Sequence, residues 1–247
     1  HQIIKTMKKL FFAMALLAFI GKGYSQEKEI DSTAIFILDK MSDVIGDLES
    51  VSFNMESVVD RFDAEKNMET KHGNSSISMV GPDKLLAISS GDRGNYGFWY
   101  NGTYLTYYSF DENNYVTLDA PDTILTMIDS MHVSYGFKFP AADFFYPSFT
   151  DDLMDSFNSI KYLGKKMIAG EQCYHIQATS PDTDLQLWIT STGYMLPKKL
   201  IIIYKNEEDK RYEATFNTWK LNPNIPSSIF EFTPPPHSRL ISIMAKS

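Results

Sequence analysis

The sequence predicts an α+β fold: a curved antiparallel sheet, or half-open barrel, wrapped over helices, with a closed barrel as the alternative. Three observations lead there. An amphipathic helix comes first. Seven to eleven short alternating segments follow, separated by Gly, Pro, Asn and Asp turns and interrupted once by helix. One stretch, Tyr96 to Tyr115, carries nine aromatic residues in twenty and is apolar on both faces, so it needs cover on both.

In chain order, His1 to Thr6 read as a tag remnant ahead of a start at Met7. Lys8-Lys9, the apolar run Leu10–Ile20 and the small residues before Gln26 then have the form of a cleavable secretory signal. The run is too short to span a bilayer. No cysteine follows it for lipid attachment, so the mature chain is expected to be periplasmic, soluble and not a lipoprotein. The expected organisation is residues 1–25 as tag and signal, 26–236 as one domain, and 237–247 as a tail.

Asp31-Ser32 offers an N-cap, and Ala34, Ile35, Ile37, Leu38, Met41, Val44, Ile45 and Leu48 follow at helical spacing. Val51 to Arg61 alternates as a half-buried strand, with Val51, Phe53, Met55, Ser57 and Val59 on one face. A polar strand or loop leads to a strand at Ser76–Val80, and Gly81-Pro82-Asp83 turns into Lys84–Ser89. Asn101-Gly102 predicts a two-residue type I′ hairpin pairing Tyr100 with Thr103 and Trp99 with Tyr104.

After a short strand at Tyr115–Leu118, a helix is expected from Pro121-Asp122. A Gly/Pro-broken apolar segment from Tyr135 to Tyr146, read as loop plus short helix over an opening, precedes another helix at Thr150–Phe157. From Ile160 the text is antiparallel β: Ile160–Met167, Gln172–Thr179, Leu185–Thr190, Pro197–Tyr204 and Arg211–Leu221. Leu200-Ile201-Ile202-Ile203 reads as a central strand covered on both sides, and Ile229–Phe232 as a last strand.

Composition narrows the function classes. The formal net charge is −8, and loss of residues 1–25 removes four lysines and no acid, taking it to −12. That balance opposes nucleic-acid binding and charge-driven docking on anionic lipid. A lone cysteine, Cys173, leaves no internal disulfide. Cys173 and His175 share a strand face and form a nucleophile–base candidate, but no orienting acid or oxyanion donor accompanies them, and a core thiol is the usual fate of a single Cys. His72, His132, His175 and His237 lack metal-ligand spacing, and Gly91-x-x-Gly94 is a turn rather than a phosphate loop. No catalytic residue, metal or cofactor is expected.

Several phrases, taken in order, carry a resemblance. They are Pro82-Asp83-Lys84-Leu85, Tyr100-Asn101-Gly102-Thr103-Tyr104-Leu105-Thr106, Pro121-Asp122-Thr123-Ile124-Leu125, Tyr135-Gly136-Phe137, Phe139-Pro140-Ala141-Ala142-Asp143, Gly170-Glu171-Gln172-Cys173-Tyr174-His175, Leu185-Gln186-Leu187-Trp188-Ile189, Pro197-Lys198-Lys199-Leu200 and Trp219-Lys220-Leu221-Asn222-Pro223. Together, over about Ala34 to Pro236, the chain resembles the predicted periplasmic proteins grouped as domain of unknown function 2092. The resemblance implies a LolA/LolB-type lipoprotein-carrier fold, an incomplete barrel around an apolar cavity. It supplies no catalytic residues.

The expected ligand is therefore a lipid, acyl chain or similar apolar molecule. The expected cavity wall is Phe53, Met55, Val59, Trp99, Tyr104 and Tyr108, and the expected flap is Phe139, Phe144 and Phe145. The alternatives are an envelope protein–protein interaction or sensor module without a small-molecule ligand, and a hydrolase using Cys173 and His175 or a carboxylate pair.

Overall fold

The computed structural model describes residues 28–139 and 141–246; the signal-like segment lies outside them. Helix α1 (Ser32–Gly46) starts where expected, because the Asp31 carboxylate accepts the Thr33 N–H at 2.8 Å. The other carboxylate oxygen accepts the Tyr162 N–H at 3.2 Å, so one side chain caps the helix and ties it to the sheet. Ala34, Ile37, Leu38, Met41 and Ile45 form its buried stripe.

The strands are β1 (Glu29–Ile30), β2 (Ser50–Phe62), β3 (Met68–Val80), β4 (Lys84–Gly91), β5 (Tyr96–Tyr100), β6 (Tyr104–Ser109), β7 (Asn114–Asp119), β8 (Ser159–Ile168), β9 (Glu171–Thr179), β10 (Thr183–Thr190), β11 (Pro197–Tyr204), β12 (Lys210–Leu221) and β13 (Arg239–Leu240). They form one open sheet in the order β1-β8-β9-β10-β11-β12-β2-β3-β4-β5-β6-β7-β13. Pairing is antiparallel except for the two-residue strands at either edge, which are parallel. Two meanders are therefore joined where β12 pairs with β2.

That order dictates what fills the concave side. The chain must travel from β7 at one side of the sheet to β8 at the other. It does so through α2 (Ile124–Tyr135), a 3-10 turn (Ala142–Phe145) and α3 (Phe149–Ser156). With α1, this crossover packs its apolar side chains against the inner face in one continuous core. The half-barrel wrapped over helices is the observed architecture.

Several local expectations are corrected. Of the polar strand or loop expected before Ser76, the strand forms and is continuous with Ser76–Val80: β3 runs from Met68, because its polar residues pair along the whole length of β2 despite lacking alternation. The aromatic hairpin pairs Tyr100 with Leu105 and Trp99 with Thr106, partners two residues further along β6 than a turn centred on Asn101-Gly102 gives. Instead, Asn101 closes the turn: its side-chain oxygen accepts the N–H groups of Thr103 (3.1 Å) and Tyr104 (2.9 Å), and only Gly102 takes positive φ, +93°. The shift keeps each residue on its expected face.

Ile229–Phe232 is not a strand; Ser227–Phe230 forms a 3-10 turn. β11 is central, as expected, but Leu200–Ile203 are half-buried, since Ile201 and Ile203 lie on the uncovered convex side. α2 begins at Ile124, after a Thr123 cap, rather than at Pro121-Asp122. In the tail, Arg239–Leu240 pair with Asn114 and Tyr115 of β7.

Candidate functional site: the concave face and its mouth

Alternation along β2–β7 places one set of residues inward, and strand pairing aligns them in rows. The deepest row is Val51, Met79, Leu85, Tyr100, Leu105 and Leu118; the next is Phe53, Ile77, Ala87, Phe98, Tyr107 and Val116. Both rows are apolar apart from two phenol groups. The Tyr100 hydroxyl donates to the Pro121 carbonyl at 2.5 Å, and burial pushes its pKa up to about 12.

Aromatic side chains from the crossover cover these rows. Phe98 meets Phe137 at 5.1 Å and Phe139 at 5.0 Å between ring centroids. Phe53 lies between Phe145 at 6.1 Å and Trp219 at 4.3 Å, both near parallel to it. Phe144 abuts Phe216 edge-on at 5.5 Å. A cavity remains between Ile77, Met79, Leu85 and Ala87 of the sheet and Ile124, Ile128, Phe139, Ala142 and Phe145 of the crossover. Its free volume of about 10 Å³ holds roughly one water. The rest of the space over these rows is occupied by the protein's own aromatic rings.

Toward the other end of the strands the inner face turns polar. The row after Phe53 reads Met55, Ser75, Ser89, Tyr96 and Ser109, and the row after that Ser57, Gly73 and Gly91. Ser57, Ser75 and Ser89 are buried, and the Ser75 and Ser89 hydroxyls bond each other at 2.8 Å. Burial pushes Tyr212, opposite Val59, up to about 12, and it raises Tyr204 as well.

Asp143 faces the same space and adds to the rise of both tyrosines. It is exposed by area, while the protein packed around it desolvates the carboxyl and pushes it up to about 6. The inner face is thus amphiphilic: apolar and plugged at depth, polar at its mouth.

The nine expected site residues divide between two faces. Phe53, Met55, Val59, Phe139, Phe144 and Phe145 belong to the concave side. Trp99 and Tyr108 point to the convex side, where they form a cluster with Phe110, Tyr115 and Phe232. Tyr104 is on that side too and is 46% exposed. These three cannot line the same cavity as the other six, because successive residues of a strand face opposite ways. The second layer that the two-faced hairpin requires is Phe232, from the segment between β12 and β13. A Cβ on Gly97 would strike the Trp99 ring and the Ile88 side chain, so this glycine seats the indole.

The family model of predicted periplasmic proteins, DUF2092, matches residues 34–244. The chain belongs to this family. No curated protein matches the DUF2092 chain. Among solved structures it is similar to an uncharacterized conserved protein from Thermus thermophilus, with 9% identity, coverage of 85% of this chain and 99% of that one, and a TM-score of 0.50. It is also similar to the lipoprotein LppX of Mycobacterium tuberculosis (15% identity, 80% and 99% coverage, TM-score 0.49). A LolA superfamily protein from Nitrosomonas europaea matches at 12% identity, 81% and 97% coverage and a TM-score of 0.37. At such identities the likeness concerns fold alone.

In this DUF2092 protein Cys173 is fully buried and burial raises its pKa, which opposes thiolate formation. His175 lies flat on Trp188, 4.4 Å between centroids, with Nε2 2.8 Å from Gln186 Oε1. Among the described residues no group of three or more His, Cys, Asp or Glu is placed to hold a metal, and no helix is long and apolar enough to cross a membrane. Trp219 and Phe98 are concave-face residues that the sequence reading did not single out. Phe98 was legible from hairpin alternation. Trp219 was not, because the irregularity between Asn217 and Lys220, with Thr218 at φ +54°, resets the facing of β12.

Proposed function

We propose that this protein is a non-enzymatic binding protein of the periplasm that holds a lipid, acyl chain or similar apolar ligand on the concave face of its sheet. The ligand takes the place now held by Phe139 and Phe145. The observation that carries this reading is how the apolar rows are covered. Their cover comes from a short irregular segment whose backbone bonds are local: Phe144 N–H to the Ala141 carbonyl at 3.3 Å and Tyr146 N–H to the Asp143 carbonyl at 3.3 Å. No backbone hydrogen bond among the described residues ties the Phe137–Phe145 rings' segment to the strands. Such a cover can exchange for a chain of CH₂ groups at small net cost, since each buried CH₂ contributes about 0.8 kcal/mol.

The family's periplasmic description and the secretory form of residues 1–25 support the compartment. Within the reading, residues 26–236 act as one binding domain. The proposed wall is Phe53, Met55, Val59 and Trp219, and the proposed displaceable cover is Phe139, Phe144 and Phe145.

The test is native mass spectrometry of the chain from Gln26, purified from the periplasm without detergent. An adduct that is lost on denaturation and extracts as lipid supports the carrier. A clean apo mass with no uptake of added palmitate overturns it and favours an envelope protein partner, to be sought by cross-linking.

A further inference from the structure

We propose that the mouth of the concave face recognises an anionic head group through Arg93, so that the ligand is an acyl amphiphile with a carboxylate or phosphate at one end. This rests on the carrier reading and adds the chemistry of the ligand's polar end.

The inner rows change character at a defined level. Val51 and Phe53 lie in apolar rows, whereas the row of Met55 holds Ser75 and Ser89 and the next row holds Ser57, all three serines buried. Buried hydroxyls on a face that is otherwise apolar are costly unless they meet polar partners. Arg93, in the turn after β4, reaches that level. Its Nη2 lies 3.4 Å from Ser57 Oγ, and a Cβ on Gly73 would come within 3.5 Å of the same nitrogen. Gly73 thus leaves the space across which the guanidinium lies, over the strand and toward the concavity.

Arg93 makes no ion pair among the described residues, and its side-chain hydrogen bond among them is that long contact to Ser57. The neighbouring carboxylates are engaged elsewhere: Asp92 accepts the His72 N–H at 2.8 Å, and Asp111 binds Asn95 twice at 2.7 Å. In a chain of net charge −8, an uncompensated guanidinium at the rim of an apolar trough is a ready bidentate partner for a planar carboxylate or a phosphate. Geometry sets the ligand's length. From Ser57 back to Val51 the inner face runs six residues, or about 20 Å at roughly 3.3 Å each, which suits a long acyl chain laid along β2 with its head at the mouth.

The experiment compares three probes of one chain length, palmitate, cetyl alcohol and cetyl phosphate, on the chain from Gln26, with dissociation constants from calorimetric titration. The wild type is expected to bind the two anions about 10-fold or more tighter than the alcohol, the worth of a hydrogen bond to a charged group. Arg93→Gln should bring the anions to the alcohol's affinity and leave the alcohol unchanged, and Arg93→Lys should recover part of the difference. A preference between carboxylate and phosphate would tell a free fatty acid from a phospholipid-derived source. If Arg93→Gln binds both anions as the wild type does, the head-group site is wrong while the carrier reading stands. If the wild type binds none of the three, the carrier reading fails and takes this one with it. Arg93 is exposed, so its substitution leaves the core intact.

Discussion

Truncating the cover should make this protein less stable and a better binder at once. Phe145 is half-buried against Phe53 and lines the small cavity beside Ile77 and Ala87. An aromatic side chain buries on the order of 150–250 Å² when fully enclosed. Half of that, about 100 Å², at about 25 cal/mol per Å² gives about 2.5 kcal/mol lost in Phe145→Ala. A ligand that must expel the Phe145 ring bears the same amount in the wild type and is spared it in the variant. The ceiling on the affinity gain is therefore about 2.5 kcal/mol, or between 1 and 2 decades at about 1.4 kcal/mol each.

Urea unfolding followed by far-UV circular dichroism reads the first quantity, and palmitate titration of the folded variant reads the second. The expected result is a midpoint moved to lower urea together with a dissociation constant about 10-fold or more lower. A folded Phe145→Ala protein that binds palmitate more weakly would make Phe145 a wall residue. The displacement argument would then be refuted.

The convex cluster should behave in the opposite way. Trp99→Ala removes the ring that Phe232 covers at 5.1 Å and should cost about 2–3 kcal/mol, below the range for a fully buried Trp, without changing palmitate affinity; loss of binding in a folded variant would return Trp99 to the site. Gly97→Ala drives a methyl group into the Trp99 and Ile88 side chains and should cost about 1–3 kcal/mol, and a neutral result would mean that the indole has room to turn away.

Desolvation pushes the Asp143 carboxyl up to about 6, against 3.8 for the ordinary group. Between about pH 4 and 6 the native state holds a proton that the unfolded chain has released, so this group's contribution falls as pH rises through that window. Asp143→Asn should therefore raise the melting temperature at pH 7.5 and change it little at pH 4; equal effects at both would refute the assignment. Asp31, Asp63 and Asp111 are held below their ordinary value chiefly by hydrogen bonds from Thr33, Asn67 and Asn95. Their contribution has the other sign: present above pH 3.8 and lost as pH falls through their lowered values.

Much of the fold was legible because local physics and tertiary structure agree in it. The stripe Ala34, Ile37, Leu38, Met41 and Ile45 announces its helix, and Asp31 announces its start. Each strand from β8 to β12 was located to within two residues at either end, since alternation and turn chemistry act over a few residues. Where two local preferences compete, the reading failed. At Asn101 the side chain takes the N–H groups of Thr103 and Tyr104 instead of placing its own backbone at positive φ, which moved each hairpin partner by two residues. The polar half of β3 carries no pattern at all, and only its pairing with β2 makes it a strand.

By itself, then, the sequence determined the α+β class, the helix faces, the inward and outward residues of each regular strand, and the need of the Tyr96–Tyr115 hairpin for cover on both sides. Periodicity encodes these things within a few residues. It could not say which layer covers which face. Phe232 reaches Trp99 across more than a hundred residues, and Trp219 joins Phe53 only because β12 pairs with β2 and is kinked at Thr218. Whether the trough is open or filled was decided by the crossover from β7 to β8. The strand order forces that segment over the concave face, and its phenylalanines fill the space above the apolar rows.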